Sequence, residues 1–337
     1  MNRGHAYRER IDSGAAGRTV LEHLAARWPR ASADEWAARV ERGEVSLEGS
    51  VAVGDERLER GDELVWNRPP WEEPDAPSRF EVLYEDAHVV AVAKPRGLPT
   101  IAGGGEFLER TLASLVAARF ADAVPMHRLG RHTSGVVLFA RSALARTAVQ
   151  AAWRAGEVAK TYRALASGTP PETLTIDAPI GPVPYAPLGT VAAASPSGKP
   201  ARSIVRRVAL VTVPPPPDLE APSIEPPASG ADAKAGFAGE RRGAEPRSPP
   251  FKGGGGGYLV DVDIETGRAH QIRIHLAFAG FPLVGDPLYG AGGVPLPGTR
   301  AVPGDGGYLL HAMRLAVRHP ATGAPLVVAC EPPADLR

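Results

Sequence analysis

The stretch MHRLGRHTSG, residues 126–135, sets His127, Arg128, Arg131, His132, Thr133 and Ser134 around two glycines, directly before the apolar run Val136-Val137-Leu138-Phe139-Ala140. Polar groups on a loop at the mouth of a buried strand are a common place for binding and chemistry. This cluster holds no carboxylate and no thiol. Its serine lacks the Gly-x-Ser-x-Gly elbow that would make it a hydrolase nucleophile. Its chemistry must therefore draw on groups from elsewhere in the chain.

Two further stretches offer such groups. Lys160-Thr161-Tyr162-Arg163 reads as part of a strand, with the tyrosine and the basic residues expected on opposite faces. Residues 266–290, TGRAHQIRIHLAFAGFPLVGDPLYG, contain a helix, RAHQIRIHLAFAG, ended by Gly280, on which His270 and Arg273 stand three apart and share a face. Arg273 is followed by Ile274, Leu276, Ala277 and Phe278, so it sits on a mainly apolar helix. It needs a partner there, because an unpaired buried charge is costly; a carbonyl or Asp286 would serve. A lone strand tyrosine, by contrast, is more often core than catalytic. The pairs His127/His132 and His270/His275 are each five apart, which does not align two ligands on one helical face. No His-Glu-x-x-His pattern exists either, so no metal site is expected. No phosphate-cradling or dinucleotide-binding glycine pattern appears.

The elements that position these groups follow from pattern. HVVAVAKP and SGVVLFA are buried strands, and KTYRALASG is a third. SALARTAVQAAWRAG is a helix with Ser142 as N-cap and Gly156 as its stop. GYLVDVDIETG alternates with period two, Tyr258, Val260, Val262 and Ile264 on one face and Asp261 and Asp263 on the other. Upstream, residues 17–66 form a small αα-β unit. Val20, Leu21 and Leu24 mark one helix, and Trp36, Ala37 and Val40 mark a second capped by Ser32 or Asp34. Short strands then run through EVSLEG, SVAVG and DELVW. Residues 67–79 are a Pro-rich acidic linker, and residues 80–337 the larger domain. Residues 214–257 contain ten Pro and nine Gly, a composition that cannot bury enough apolar surface to offset ordering. They read as a disordered insertion in a hairpin.

The chain has 337 residues with 38 basic and 38 acidic side chains, so no global field points to nucleic acid or membrane. Locally the balance breaks. Twelve arginines against sixteen carboxylates leave residues 1–79 at −4, whereas residues 127–163 carry seven cations against Glu157. That basic stretch surrounds the opening motif and suits a polyanion. The single cysteine, Cys330, permits no intrachain disulfide. No secretion signal or apolar run of membrane-spanning length is visible, which makes a cytoplasmic protein without membrane contact the expectation.

Taken in order, YEDAHVVAVAKPRGLPT, MHRLGRHTSGVVLFARS, KTYRALASG, ETGRAHQIRIHLAFAGFPLVGDPLYG and LLHAMRLAVRHPATGAPL resemble the RluA-type family of RNA pseudouridine synthases. Residues 17–66 resemble the S-four-type RNA-binding module that often precedes that domain. The resemblance implies an α+β fold with a mixed, largely antiparallel central sheet flanked by helices. It implies cleavage of the uridine C1′–N1 bond, rotation of the uracil and rejoining through C5, without cofactor or metal. The RNA partner would be ribosomal or transfer RNA. The family places a nucleophilic aspartate immediately after His-Arg-Leu, a tyrosine on the Lys-x-Tyr strand and an arginine on the His-Gln-x-Arg helix. Carried over, these are Gly130, Tyr162 and Arg273. Glycine has no side chain with which to attack. The resemblance further implies that His127, Arg128, Leu129, Arg131, Thr133, Ser134, Gly135, Lys160, Arg163, Arg268 and His270 line the RNA site. Arg273, without an aspartate at 130, should turn to Asp286, Asp263, Glu265 or an RNA phosphate. Two outcomes follow: a synthase working by a variant arrangement, or an RNA-binding pseudoenzyme. On charge, RNA affinity is expected from residues 127–163 rather than 17–66.

Overall fold

The computed structural model describes residues 1–29, 31–103, 105–212 and 256–337. The amino-terminal unit begins earlier than the composition suggests. A strand β1 (His5–Arg10) pairs antiparallel with β4 (Glu63–Arg68) and opens the sheet order β1-β4-β2-β3, where β2 is Val45–Leu47 and β3 is Ser50–Val51. Lacking a clean apolar/polar alternation, HAYRER does not announce itself as a strand; the exposed edge of β4 recruits it. Helices α1 (Val20–Arg27) and α2 (Ala33–Glu41) cover one face. Each starts with a reciprocal capping box, Thr19 with Glu22 and Ser32 with Glu35. Val20, Leu24, Trp36, Val40, Val45 and Leu64 fill the core between helices and sheet.

The segment read as a linker is packed rather than free. Glu73 is buried, accepts from Asn2 Nδ2 and from the backbone N–H groups of Glu109 and Arg110, and so ties the unit to the next domain.

That domain is built on a ten-stranded sheet. Its first strands are β5 (Glu81–Glu85) and β6 (Val89–Lys94), followed by helix α3 (Leu112–Arg119) and the short β7 (Val124–Pro125). The fully buried β8 (Ser134–Ala140) leads into α4 (Ala143–Ala155), then β9 (Ala159–Ala166) and β10 (Thr173–Asp177). A separate hairpin, β11 (Ile180–Tyr185) with β12 (Gly189–Ala194), precedes β13 (Arg202–Thr212) and β14 (Gly256–Ile264). Helix α5 (Gln271–Phe278), the short pair β15 (Tyr289–Gly290) and β16 (Val294–Pro295), β17 (Leu310–Arg318) and β18 (Pro325–Ala329) complete the chain. The main path runs β10-β13-β14-β9-β17-β8-β6-β5. Its one parallel pair, among the described residues, is β17 with β8. Gly135 makes that pair feasible: it adopts φ +110°, and a Cβ there would collide with the Ala312 backbone.

Ser142 caps α4 and Gly156 ends it in the left-handed conformation. Val260, Val262 and Ile264 face the main core, while Asp261 and Asp263 pair with Arg163 and Arg206 on the opposite face. Gly256 and Gly257 belong to β14, so the strand reaches two residues into the span read as an insertion. The remainder of that span lies outside the described residues. Because Thr212 stands opposite Gly256, its two ends are adjacent. Replacing residues 214–255 by a short Gly/Ser turn is therefore expected to leave the melting temperature nearly unchanged, since closure entropy varies slowly with loop length. A large drop in a thermal melt would show that the segment packs.

Candidate active site

The turn carrying Gly130 is held from three sides. Thr100 Oγ1 accepts from the Leu129 N–H and donates to the Leu129 carbonyl. Buried Lys94 donates to the carbonyls of Pro95, Leu98 and Arg131 at 2.6–3.0 Å, which fixes the turn against the loop after β6. The Thr133 N–H closes the turn onto the Gly130 carbonyl at 3.1 Å. Gly130 itself is exposed and its φ lies outside the left-handed region. A Cβ at this position would meet the Tyr308 hydroxyl at 3.3 Å and Thr133 Oγ1 at 3.5 Å.

Tyr308 connects this turn to Arg273. The guanidinium carbon lies 4.2 Å from the Tyr308 ring centre and 5.0 Å from that of Tyr289. Arg273 is 2% exposed and makes a two-pronged pair with Asp286, Nε and Nη2 donating at 2.7 and 2.8 Å. Burial alone would disfavour its charge, but the Asp286 carboxylate more than compensates and holds it protonated. Asp286 also accepts from the N–H groups of Leu288 and Tyr289. Oδ1 thus takes three donors and Oδ2 one, on a carboxylate that is 1% exposed. Of the partners foreseen for Arg273, Asp286 is the carboxylate realised, and Nη1 also donates to the Pro303 carbonyl at 3.2 Å. Asp263 is held by Thr161 and Arg206 across the sheet, and Glu265 lies beside Arg202. Tyr162 shares an apolar cluster with Leu129, Ile272 and Tyr308. Burial pushes its hydroxyl up to about 12, so it is neutral at physiological pH.

The remaining sequence-derived residues divide by position. Arg128 is exposed, and its charge together with those of Arg273 and the surrounding burial acts on His270. His270 adopts a left-handed φ of +55° at the start of α5, and its Nδ1 meets the Tyr289 hydroxyl at 2.7 Å. Tyr289 donates onward to the Ala192 carbonyl, so His270 Nδ1 carries the proton. Arg268 is exposed and donates to the Pro200 carbonyl. Lys160 Nζ lies 3.9 Å from where a Cβ of Gly267 would stand, at the loop entering α5. It does not join Arg163 on the far face: residues two apart share a strand face. Arg163 does turn away, onto Asp261 and the Leu336 carbonyl. Arg131 is tied to the Gly97 carbonyl and lies over Phe107. Ser134 is buried against His311 Nδ1, whose Nε2 donates to the Cys330 carbonyl; Thr133 and Gly135 are buried beside it. His127 accepts from the Leu138 N–H through Nε2 and stacks on Trp153 at 5.0 Å. Several of the cations in the basic stretch are therefore already partnered. Tyr308 escaped sequence reading because a single tyrosine in GGYLLHA carries no pattern.

Burial, then the Lys160 charge, lowers His127 to about 3; burial, then Arg273, lowers His270 to about 4. In the unfolded chain both return to the ordinary value of 6.5. Below that value the unfolded chain takes up protons the folded chain refuses, so stability falls as pH drops from about 6.5 towards 4. Urea midpoints at pH 7 and pH 5 are expected to differ less for His127→Gln than for the wild type; an equal difference would remove His127 from this account.

A family model described as RNA pseudouridylate synthase matches residues 88–278. An uncharacterized RNA pseudouridine synthase of Synechocystis is 34% identical over 303 residues, covering 89% of each chain. RNA pseudouridine synthase 5 of Arabidopsis thaliana is 34% identical and covers 93% of this chain and 88% of its own. Ribosomal large subunit pseudouridine synthase D of Xanthomonas campestris is 30% identical, covering 97% of this chain and 89% of its own. Among solved structures, human RNA pseudouridylate synthase domain containing 1 superposes with a TM-score of 0.53 at 20% identity, over 78% of this chain and 87% of that one, a likeness of fold. Among the described residues no helix is long and apolar enough to cross a membrane.

Proposed function

This chain belongs to the RNA pseudouridine synthase family, and we propose that it isomerises uridine to pseudouridine in structured RNA, ribosomal or transfer RNA being the substrate class. The observation that carries this reading is Tyr308, whose ring packs on the Arg273 guanidinium and whose hydroxyl stands 3.3 Å from where a Cβ of residue 130 would be. In the reaction the C1′–N1 bond breaks, the uracil turns within the site and C5 bonds to C1′. N1, which left with the electron pair of the broken bond, takes up a proton and C5 loses one, so the change is an isomerisation. Tyr162 packs on the base and assists that proton transfer. Arg128, Lys160, Arg268 and His270 border the same region and suit contacts to phosphate and base edges. The unit built on β1–β4 acts as the accompanying RNA-binding module, and a cytoplasmic location follows from the substrate.

A second reading rests on a specific observation. Position 130 has no carboxylate, and Asp286, the carboxylate beside Arg273, is 1% exposed and already held by four donors. An RNA-binding protein that accommodates a uridine without converting it fits that chemistry. Tritium release from RNA labelled at uridine C5 separates the two. Release by the wild type supports isomerisation; RNA binding without release supports the second reading.

A further inference from the structure

We propose that the amino-terminal unit carries a second RNA contact, a pocket that takes one unstacked nucleobase from a single-stranded segment of the substrate. This rests on RNA being the substrate. A cleft of about 810 Å³ opens beside β1 and β4 and is walled by Tyr7, Trp28, Trp36, Arg39, Trp66 and Arg68. That size lies within the range of small-ligand pockets. Its aromatic walls are mutually ordered. Tyr7 stacks on Trp66 at 5.1 Å with planes 21° apart, and Trp36 meets Trp66 edge-on at 4.8 Å. Trp28 leans on Trp36 at 5.4 Å. The Arg39 guanidinium lies 4.5 Å from the Trp36 ring centre and 5.1 Å from that of Trp66.

Polar groups at this opening are unmet. Among the described residues, the Arg39 guanidinium makes no hydrogen bond or ion pair, and neither the Tyr7 hydroxyl nor Trp28 Nε1 has a partner. The deeper indoles are satisfied, Trp36 by the Trp28 carbonyl and Trp66 by Glu44. Tyr7, Trp28 and Arg39 are only half-buried. A stack of aromatic rings under a guanidinium plane with free donors matches a nucleobase, whose face stacks and whose edge accepts. The carboxylates Glu9, Glu35 and Glu106 also line the cleft and disfavour a bare phosphate; they suit exocyclic amino groups. Stacking also removes the objection raised by the local charge of −4, because it does not depend on phosphate neutralisation.

The test uses the full-length protein, a short single-stranded RNA of mixed sequence and an abasic strand of equal length. The RNA is expected to quench tryptophan fluorescence, and Arg39→Met and Trp28→Leu are each expected to weaken its Kd about tenfold, the scale of one base stack. Melting temperatures report whether each variant is folded; if Trp28→Leu is not, the surface variant Arg39→Met decides. Wild-type affinity in folded Arg39→Met, or equal quenching by the abasic strand, would overturn the proposal. So would a rise in RNA affinity on removing residues 214–255, which would identify the Pro-rich segment as the occupant. Tritium release read in parallel keeps two failures apart. Weakened binding without release from any form leaves the pocket standing and removes the proposed activity. Normal release with a silent Arg39→Met removes the pocket alone.

Discussion

Gly130→Asp is expected to raise pseudouridine formation on bulk RNA by on the order of tenfold or more, because loss of a nucleophile ordinarily costs orders of magnitude in rate. The backbone accepts the change. Gly130 is exposed, does not occupy the left-handed region, and a Cβ would need the Tyr308 hydroxyl to yield only slightly from 3.3 Å. The nearby Arg273 charge favours an ionised carboxylate at this position. That charge is shared, however: Asp286 already occupies Nε and Nη2. The substitution is thus not expected to stabilise the fold by supplying a missing partner, as the sequence alone would suggest, and the melting temperature should change little. Tritium release on labelled RNA measures the activity. A mutant as inactive as Gly130→Asp/Tyr162→Phe would show a pocket altered beyond one residue. A wild type as active as the mutant would show that another group performs the attack, and Tyr308, whose hydroxyl borders position 130, would be the first residue to replace.

Asp286→Ala is expected to destabilise the protein by about 3–5 kcal/mol, the usual result of stripping one partner from a buried ion pair. Arg273 would remain almost fully buried with its charge unopposed, and the N–H groups of Leu288 and Tyr289 would lose their acceptor. Asp286→Asn keeps an acceptor for those amides and should cost less. Replacing the pair together, Asp286→Leu with Arg273→Met, should cost less than Asp286→Ala, because no buried charge is left behind. Chemical denaturation of the three variants checks the order. If Asp286→Ala costs no more than an ordinary surface change, the pair contributes little and Arg273 finds solvent on its own.

Much of the scaffold was legible in the chain. The period-two run through Val260, Val262 and Ile264 specified both faces of β14, and Ser142 with Gly156 bounded α4. Such features depend on neighbours along the chain, so local stereochemistry encodes them. β1 was not legible, because the edge of β4 and not the pattern of HAYRER makes it a strand. The spare charge of residues 127–163 was overread, because Arg131 and Arg163 find partners at positions 97 and 261.

The site divides along the same line. Residue identity alone determined that position 130 brings no carboxylate to the cleft, and the ordered motifs around it determined the family. Only the tertiary structure decided that Tyr308 borders that position, that Asp286 rather than Asp263 or Glu265 satisfies Arg273, and that Arg163 turns onto the Leu336 carbonyl. These are contacts between residues far apart in sequence. A buried guanidinium accepts whichever carboxylate the packing brings within hydrogen-bond reach, and the packing is set by the whole sheet, not by the spacing of any motif.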